Sequence, residues 1–271
     1  MEIIRNILDL NKAILKVKNL GFVPTMGGLH KGHISLIKSS QNKCRKTIVS
    51  IYVNPTQFNK KKDFNKYPRN INRDIIILKN LKVDFLFLPK TKDIYKLKRI
   101  NKIRLKSADR ILCGKFRKGH FEGVLDVMDR FLSIIKPNYV FMGEKDFQQL
   151  FLIKKFIKNK YNSKIITCPT VREGNKIALS SRNFLLGKKD LYNAGLIAQC
   201  LFQFKSSLLK NNKKIDIIIP QIKKKLENKY KIKIEYLEVR NTYDLKKTNF
   251  LKKYKIFIAY YINKVRLIDN F

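Results

Sequence analysis

Strand-like and helix-like segments alternate through the first 170 residues, and this alternation restricts the possible folds more than any other feature of the chain. Short runs of apolar and β-branched residues predict strands at LGFVPT, KTIVSIYVNP, VDFLFLP, NYVFMG and KIITCPTV. Between them, apolar residues recur at helical spacing in GHISLIKSSQNKC, NRDIIILKNLK, FEGVLDVMDRFLSIIK and DFQQLFLIKKFIKN. Because parallel strands need such crossovers, the pattern predicts an α/β fold with a doubly wound, mostly parallel sheet.

The two ends of the chain depart from this pattern. The first 19 residues have apolar positions at near-helical spacing and are followed by Gly21, which predicts one N-terminal helix. After residue 170, two long helical patterns are joined by three strand-like runs, IKIEYLEVRN, YKIFIAYYI and VRLID. We therefore expect two domains, residues 1–170 and 171–271, of which the second is smaller and of the α+β class.

The charge of the chain raises the question of a polyanionic partner. The formal net charge is +40, from 60 Lys+Arg against 20 Asp+Glu, and such a field attracts nucleic acid. The lysines are spread along the whole chain, however, together with many Asn and Ile residues, whose codons are also A/T-rich. A solvated lysine-rich surface with no specific nucleic-acid partner is the plainer interpretation.

Cysteine spacing and the lengths of apolar runs indicate the compartment. The four cysteines are scattered and form no CxxC pair, which is typical of reduced thiols. No apolar run reaches the roughly 20 residues that span a bilayer. The first residues are interrupted by charge and lack the apolar core of a signal peptide. We expect a cytoplasmic protein with no membrane partner.

The loop after the first predicted strand, PTMGGLHKGH, holds the densest group of candidate functional residues. Glycines let backbone N–H groups approach an anion closely, and a helix N-terminus adds partial positive charge. His30 and His33 could donate hydrogen bonds to phosphate oxygens or neutralise charge on a leaving group. The pattern favours a phosphate site, with half of a metal site or an ordinary turn as the alternatives.

Three other polar segments have the same character. Gln57 follows the second strand in NPTQF, Lys145 follows a later strand in MGEKDFQQL, and residues 178–183 read ALSSRN. An uncharged amide can orient a carboxylate or a hydroxyl, and the cations suit phosphate. The structural alternatives are a turn at Asn54–Pro55, a helix N-terminus whose acidic residues complement the dipole, and a Ser or Asn cap.

The third histidine, His120, leaves a zinc site open as an alternative. Zinc accepts His and Cys ligands, so the three histidines with Cys113 form a conceivable set. The flanking cations would repel a dication and attract phosphate; they are Lys31, Arg117 and Lys118. We therefore expect the polar loops to converge on a nucleotide phosphate site.

Long motifs along nearly the whole chain resemble the pantoate–β-alanine ligase (pantothenate synthetase) family. They are VPTMGGLHKGHISLI, SIYVNPTQF, YPRN, GHFEGVLDVM, FMGEKDFQQL, PTVREGNKIALSSRN and VRLIDN. The resemblance implies a Rossmann-like N-terminal domain with a smaller C-terminal lid. It also implies ATP-dependent joining of pantoate to β-alanine through a pantoyl adenylate, with release of AMP and pyrophosphate.

The same resemblance implies roles for particular residues. ATP binding is implied for Met26, Gly27, Gly28, Leu29, His30, Lys31, Gly32, His33, Gly143, Glu144, Lys145, Asp146, Val171, Leu179, Ser180, Ser181 and Arg182. Among these, His33 as proton donor, His30, Lys145 and Arg182 would serve catalysis. Gln57 and Gln149 would bind pantoate, and Gln57 also β-alanine. Mg²⁺ would arrive with ATP, no metal ligand is assigned to the protein, and a homodimer is implied.

The chain also departs from the family pattern, which often has Arg-Pro-Gly-His where this sequence has Lys118 in the second position. Two other functions compete with the one the resemblance implies. Class I aminoacyl-tRNA synthetases also form adenylates and carry a related HxGH loop, although this chain is short for one. A basic nucleic-acid-binding protein on an inactive enzyme scaffold is the other, and it predicts steeply salt-dependent binding without adenylate formation.

Overall fold

The computed structural model describes residues 1–59, 61–96, 103–210, 215–248 and 252–271. The chain divides into two compact units, Met1–Pro169 and Thr170–Phe271. In the described part of the chain, no helix combines the length and the apolar character that a bilayer crossing requires.

The first unit is built on a six-stranded sheet in which all paired strands are parallel. Its strands are β1 (Glu2–Ile4), β2 (Leu20–Thr25), β3 (Lys46–Ile51), β4 (Phe85–Phe87), β5 (Tyr139–Gly143) and β6 (Lys164–Cys168). Their spatial order is β1-β4-β3-β2-β5-β6. The chain runs outward from β2 in one direction and returns to β5 on its other side, so the predicted doubly wound parallel sheet is confirmed.

Helices cover both faces of this sheet. They are α1 (Ile7–Ile14), α2 (Lys31–Lys43), α3 (Lys61–Lys66), α4 (Ile71–Asn80), α5 (Thr91–Ile94), α6 (Cys113–Phe116), α7 (His120–Ile135) and α8 (Phe147–Ile157). Val23 of β2 packs in a cluster with Ile37 of α2 and Leu78 of α4. Its neighbour Phe22 points to the opposite face, where its ring meets Phe131 of α7 edge-on at 5.6 Å. Alternate residues of one strand thus bury against different helices.

Strands β2 and β5 diverge toward their carboxyl ends. β2 pairs with β3 along its whole length, Leu20 to Thr25, but with β5 only at Gly21 and Phe22. Pro24, which has no N–H to donate, lies beyond the region paired with β5. The strand order reverses at β2 and β5, so the divergence opens the crevice in which doubly wound sheets bind ligands.

The N-terminal helix prediction is wrong over its first residues. Glu2–Ile4 form an edge strand that pairs with Phe85–Phe87, and the helix begins at Ile7. Asn6, two residues after the strand, caps the helix, because its side chain accepts a hydrogen bond of 2.9 Å from the N–H of Asp9. Three residues are too few to distinguish the period of a helix from that of a strand, and pairing with the distant strand β4 makes this segment a strand.

The second unit has a three-stranded antiparallel sheet in the order β7-β8-β9. These strands are β7 (Lys233–Asn241), β8 (Tyr254–Ile262) and β9 (Val265–Asn270), and two helices precede them, α9 (Lys188–Lys210) and α10 (Ile215–Tyr230). One face of the sheet packs on the helices in a core that includes Leu201, Leu226 and Ile258. The predicted α+β character of this region is confirmed.

Candidate active site

The loop between β2 and α2 is held by hydrogen bonds to its own backbone N–H groups. Thr25 Oγ1 accepts from the Gly27 N–H at 3.2 Å and donates to the Ser50 carbonyl of β3 at 2.7 Å. The next two N–H groups, of Gly28 and Leu29, each donate to one oxygen of the Asp74 carboxylate at 2.8 Å. Asp74 lies on α4 and is only 1 % exposed. The sequence predicts that glycine N–H groups face an anion, and in this structure that anion is a side chain of the protein.

His30 and His33 close the loop onto the first turn of α2. His30 is the N-cap residue, and its Nδ1 accepts from the Gly32 N–H at 3.1 Å. His33 Nδ1 accepts in turn from the His30 N–H at 3.4 Å, and the ring centroids are 4.1 Å apart. Because both Nδ1 atoms act as acceptors, each neutral ring carries its hydrogen on Nε2. Both Nε2–H groups are without a protein acceptor in the part of the chain that the structure describes.

Burial and neighbouring positive charge keep both imidazoles neutral. Burial lowers the pKa of His30 from 6.5 to about 4, with a further decrease from Lys145 and an opposing increase from Asp146. Burial lowers the pKa of His33 to about 3, assisted by His30 and Lys145. At neutral pH the pair is therefore two uncharged hydrogen-bond donors rather than a source of imidazolium protons.

These two depressed pKa values predict a loss of stability in acid. Between pH 6.5 and about 4 the unfolded chain binds protons at His30 and His33 that the folded chain does not, so stability is full above pH 6.5 and falls as the pH decreases. We expect the urea midpoint of the wild type to fall more between pH 7.5 and pH 5 than that of a variant carrying His30→Gln and His33→Gln. Carboxylates titrate in both proteins, so equal decreases would contradict the prediction.

The segment after β5 brings a cation to the same histidines. Gly143 ends β5, Glu144–Asp146 form one 3₁₀ turn, and α8 follows. The Lys145 side chain is 16 % exposed, and its Nζ lies 3.9 Å from Asp146 Oδ1. Its charge lowers the pKa of both His30 and His33. The structure therefore brings together residues that the sequence places more than a hundred positions apart, at the carboxyl ends of β2 and β5.

Gln57 lies in a 3₁₀ turn after β3 and is buried. Its Nε2 donates to the sulfur of Met26 at 2.7 Å, which links this turn to the loop after β2. The backbone carbonyl of Gln57 accepts from His120 Nδ1 at 2.7 Å and from Arg117 Nη2 at 3.3 Å. Arg117 Nη1 also contacts His120 Nε2 at 2.7 Å, so that nitrogen is the acceptor and the hydrogen of the ring is on Nδ1.

The turn that holds Gln57 depends on a buried amide and on a glycine. Asn54 Oδ1 accepts from the Thr56 N–H at 3.3 Å and from Tyr95 OH at 2.9 Å, and its Nδ2 donates to the Gly123 carbonyl at 3.1 Å. A Cβ on Gly123 would overlap the Thr56 carbonyl and lie 2.9 Å from the Gln57 nitrogen. Helix α7 thus approaches the turn closely only because residue 123 has no side chain.

Two adjacent glutamines at the start of α8 have different environments. Gln148 is buried, and its Nε2 donates to the carbonyls of Ile111 at 2.7 Å and Asp109 at 3.3 Å. It therefore holds the segment before α6. Gln149, the predicted pantoate ligand, is half-buried on the next position of the same helix.

The remaining predicted ATP-binding residues form a cluster within the second unit. The Leu179 N–H donates to the Val171 carbonyl at 3.0 Å, and Arg172 and Ala178 form a bridge beside it. Ser180 caps the 3₁₀ turn Ser181–Leu185 by accepting from the Arg182 N–H at 3.3 Å. Arg182 Nη1 donates to the Arg266 carbonyl of β9 at 3.0 Å, and Ser181 is buried.

The described residues contain no group of three His, Cys, Asp or Glu side chains that could hold a metal ion. The imidazoles of His30 and His33 face the loop backbone through Nδ1, while His120 contacts Gln57 and Arg117. Cys113 is buried at the start of α6. The structure therefore gives no support to the zinc alternative.

Gly27 has to be glycine for two separate reasons, which a pair of variants can distinguish. Its φ is +78°, and a Cβ there would lie 2.9 Å from Asp74 Oδ2 and 3.1 Å from Ile51 Cγ2. Gly119 has a similar φ of +82° but open space around a Cβ. We expect Gly27→Ala to lower the free energy of unfolding by about 1–3 kcal/mol, and by more than Gly119→Ala, in urea unfolding. Equal losses would show that the contact with Asp74 is unimportant.

Known proteins resemble this chain at the level of family, sequence and structure. The family model described as pantoate-beta-alanine ligase matches residues 2–271. A pantothenate synthetase of Azobacteroides pseudotrichonymphae is 43% identical over 284 residues, covering 100% of this chain and 99% of the relative. Another from Francisella tularensis subsp. novicida is 42% identical over 270 residues, covering 99% and 95%. The chain belongs to the pantoate–β-alanine ligase family.

Solved pantoate–β-alanine ligases have the same fold. One from Francisella tularensis, complexed with beta-gamma ATP and beta-alanine, is 41% identical with a TM-score of 0.86 and covers 100% of this chain and 97% of its own. A pantothenate synthetase from Thermus thermophilus is 27% identical with a TM-score of 0.92, covering 100% and 99%. The family resemblance and the fold class inferred from the sequence are both confirmed.

Two supports of this candidate site were missed from the sequence. Asp74 lies within an ordinary helical pattern 46 positions after Gly28, and nothing local indicates its contact with the loop. The pair Arg117 and His120 enters the sequence prediction only through a departure from the family pattern and a zinc alternative. Lys118, the residue that departs from the family pattern, uses its carbonyl to accept from Asn59 Nδ2, and its side chain is exposed.

Proposed function

We propose that this chain joins pantoate to β-alanine with ATP, through a pantoyl adenylate, and releases AMP and pyrophosphate. The observation that carries this proposal is the meeting of His30, His33 and Lys145 where β2 and β5 diverge, in a chain of the pantoate–β-alanine ligase family. The Francisella tularensis ligase complexed with beta-gamma ATP and beta-alanine supports the choice of substrates.

The chemistry consists of two substitutions. A pantoate carboxylate oxygen attacks the α-phosphorus of ATP, the bond from that phosphorus to the bridging oxygen breaks, and pyrophosphate leaves. The β-alanine amine then attacks the acyl carbon, AMP leaves, and the new amide forms as the nitrogen loses a proton. Because AMP is a good leaving group, the protein has mainly to position the reactants and stabilise charge at phosphorus.

We assign ATP to the two loops at the β2 and β5 ends. Residues 26–33 would lie along the phosphates, with the Nε2–H groups of His30 and His33 donating to phosphate oxygens. In this arrangement His33 supplies its proton as a hydrogen bond from a neutral ring. Lys145 adds a fixed positive charge, and the backbone of residues 143–146 would contact the nucleoside.

Other residues complete the assignment. Gln57 would orient the pantoate carboxylate and β-alanine through its amide, and Gln149 would bind pantoate. In the second unit we assign ATP contacts to Val171, to residues 179–181 and to Arg182, whose guanidinium suits phosphate. Charge stabilisation by Arg182 is part of the proposal.

Mg²⁺ fits this site as a partner of the triphosphate. Mg²⁺ is commonly held by substrate phosphates and water with one or two carboxylates, not by an all-protein cage. A carboxylate of this kind is present, because Asp146 is about half exposed beside Lys145. When bound, the ion would neutralise phosphate charge, and Asp146 is the side chain placed to approach it.

The setting of the reaction is also part of the proposal. Four free cysteines, three of them buried, are compatible with the reducing cytoplasm. We propose a homodimer on the basis of family resemblance, and no specific nucleic-acid or membrane partner.

Two assays test the function. AMP release should require ATP, pantoate and β-alanine, with each omitted in turn. Exchange of labelled pyrophosphate into ATP should require pantoate but not β-alanine, because the first step is reversible without the amine. Exchange driven by an amino acid would favour an aminoacyl-tRNA synthetase, and tight, salt-sensitive RNA binding without exchange would favour a nucleic-acid-binding protein.

A further inference from the structure

Asp74 is a buried carboxylate that the reaction, as derived above, does not use. Its two oxygens accept from the N–H groups of Gly28 and Leu29 at 2.8 Å each. Within the described part of the chain it forms no ion pair with a cation, although α4 is followed and preceded by basic residues. A buried carboxylate is costly unless it is hydrogen-bonded, and these two bonds give each of its oxygens a donor.

The position of these bonds decides what the loop can present to a ligand. Gly27, Gly28, Leu29, His30 and Gly32 all donate their N–H groups to acceptors of the protein. The imidazole Nε2–H groups thus remain as donors that this loop can offer to a ligand. The direction of the two imidazole rings depends on the backbone at residues 28–30. Asp74, which lies on α4, fixes residues 28 and 29 of that segment.

We propose that Asp74 is a positioning residue that sets the backbone before α2 and thereby the direction and tautomer of His30 and His33. It contacts no substrate in this role. It acts through the loop backbone. Because its carboxylate accepts from the N–H groups of Gly28 and Leu29, these groups do not turn toward a phosphate. The inference rests on the proposed function for its effect on rate, whereas its effect on the histidines is independent of any activity.

A matched pair of variants tests the proposal. Asp74→Asn keeps the shape but offers one acceptor and one donor to two N–H groups, so one of the two bonds is lost. The control is Asp84→Asn, because Asp84 also accepts a backbone N–H, that of Thr47 at 2.9 Å, but at the opposite end of β3. Both changes remove a carboxylate that holds a strand or loop, and only the first lies beside the histidines.

The first readout is the tautomeric state of the imidazoles. The chain has only three histidines, so nitrogen-15 NMR of the rings resolves each one, with His120→Gln to assign its signal. In the wild type, His30 and His33 should be Nε2–H tautomers and His120 an Nδ1–H tautomer. Asp74→Asn should produce mixed tautomers at His30 and His33, and Asp84→Asn should leave all three unchanged.

The second readout is kinetic. We expect Asp74→Asn to lower kcat of pantoate-dependent exchange by about 10²-fold, the size of effect that a small misplacement of a catalytic group produces. Asp84→Asn should lower stability with kcat unchanged. A folded Asp74→Asn protein with wild-type tautomers and kcat within twofold would overturn the proposal. If Asp74→Asn had mixed tautomers while the wild-type protein lacked exchange activity, the proposed function would be contradicted and the positioning role of Asp74 would stand.

A measurement on the wild type covers the case in which Asp74→Asn does not fold. The amide hydrogens of Gly28 and Leu29 should exchange with solvent far more slowly than that of the neighbouring exposed Lys31. Exchange of Gly28 and Leu29 as fast as an exposed loop would overturn the assignment, because their bonds to Asp74 would then be open most of the time.

Discussion

Replacing His33 by alanine is expected to lower the rate of pantoate-dependent pyrophosphate exchange by about 10²–10³-fold, the usual cost of removing one fixed donor to developing charge. The ring that is lost carries its hydrogen on Nε2 and is fixed by the N–H of His30 at 3.4 Å. Alanine also removes the acceptor for that N–H, so the capping interaction of α2 is weakened at the same time. The decrease should fall mainly on kcat, measured at saturating ATP and pantoate.

Two variants define what this loss means. Lys38→Ala changes an exposed residue on the same helix and should leave kcat unchanged. His33→Gln keeps a neutral donor of shorter reach and should recover part of the rate. If His33→Ala turned over at the wild-type rate, His33 would have no role in stabilising the phosphates.

Replacing Lys145 by methionine is expected to have an effect of similar size, about 10²–10³-fold on kcat, because the charge it removes is partly buried and therefore weakly screened. Methionine keeps most of the side-chain volume, so the loss reports on the charge. The same change should raise the pKa of His30 and of His33 from their values of about 4 and about 3, since Lys145 lowers both. Ring NMR across pH 3–7 measures this increase directly.

A lysine at the far end of α8, the helix that follows the turn of Lys145, provides the comparison. Lys158 is exposed at the C-terminal end of α8, and Lys158→Met removes one charge from the chain without touching the crevice. We expect neither kcat nor the histidine pKa values to change in that variant. Equal losses of rate in the two variants would mean that net charge matters rather than the position of Lys145.

The sheet of the first unit could be predicted because its strands carry strong local patterns. Apolar runs such as the one around Phe22 and Val23 bury on both faces, and a breaker such as Pro24 lies within one residue of the end of its strand. Strand β1 could not be found in this way, since Glu2–Ile4 are too few to show a period and their partner lies beyond residue 80. The order of the strands likewise depends on pairing between distant segments, which local patterns do not contain.

The site could be predicted in part, for a similar reason. His30, His33 and Lys145 follow predicted strands, and the geometry of a parallel sheet brings such positions to one edge. Asp74 and Gly123 support the site from within helices, where acidic residues and glycines also occur without any contact to a functional loop. Their contacts depend on how helices pack on the loops, and a single sequence does not show that.

Some structural alternatives turned out to coexist with the functional predictions. Ser180 is an N-cap, and Asn54–Pro55 begin a turn, as the local patterns also allowed. Neither observation excludes ligand binding nearby, because the cap orients Arg182 and the turn orients Gln57. Local structure and chemistry use the same residues at these positions.

The hydrogen-bonded loop before α2 has a thermodynamic consequence for nucleotide binding. Acceptors of the protein itself hold the N–H groups of Gly27, Gly28 and Leu29, so the conformational entropy of ordering this loop is lost during folding. A flexible loop would lose about 1–2 kcal/mol per residue on association instead. Because this loop is preorganised, the free energy gained from the phosphate contacts is not spent on ordering it. The entropy of ATP binding measured by calorimetry should therefore carry only a small penalty.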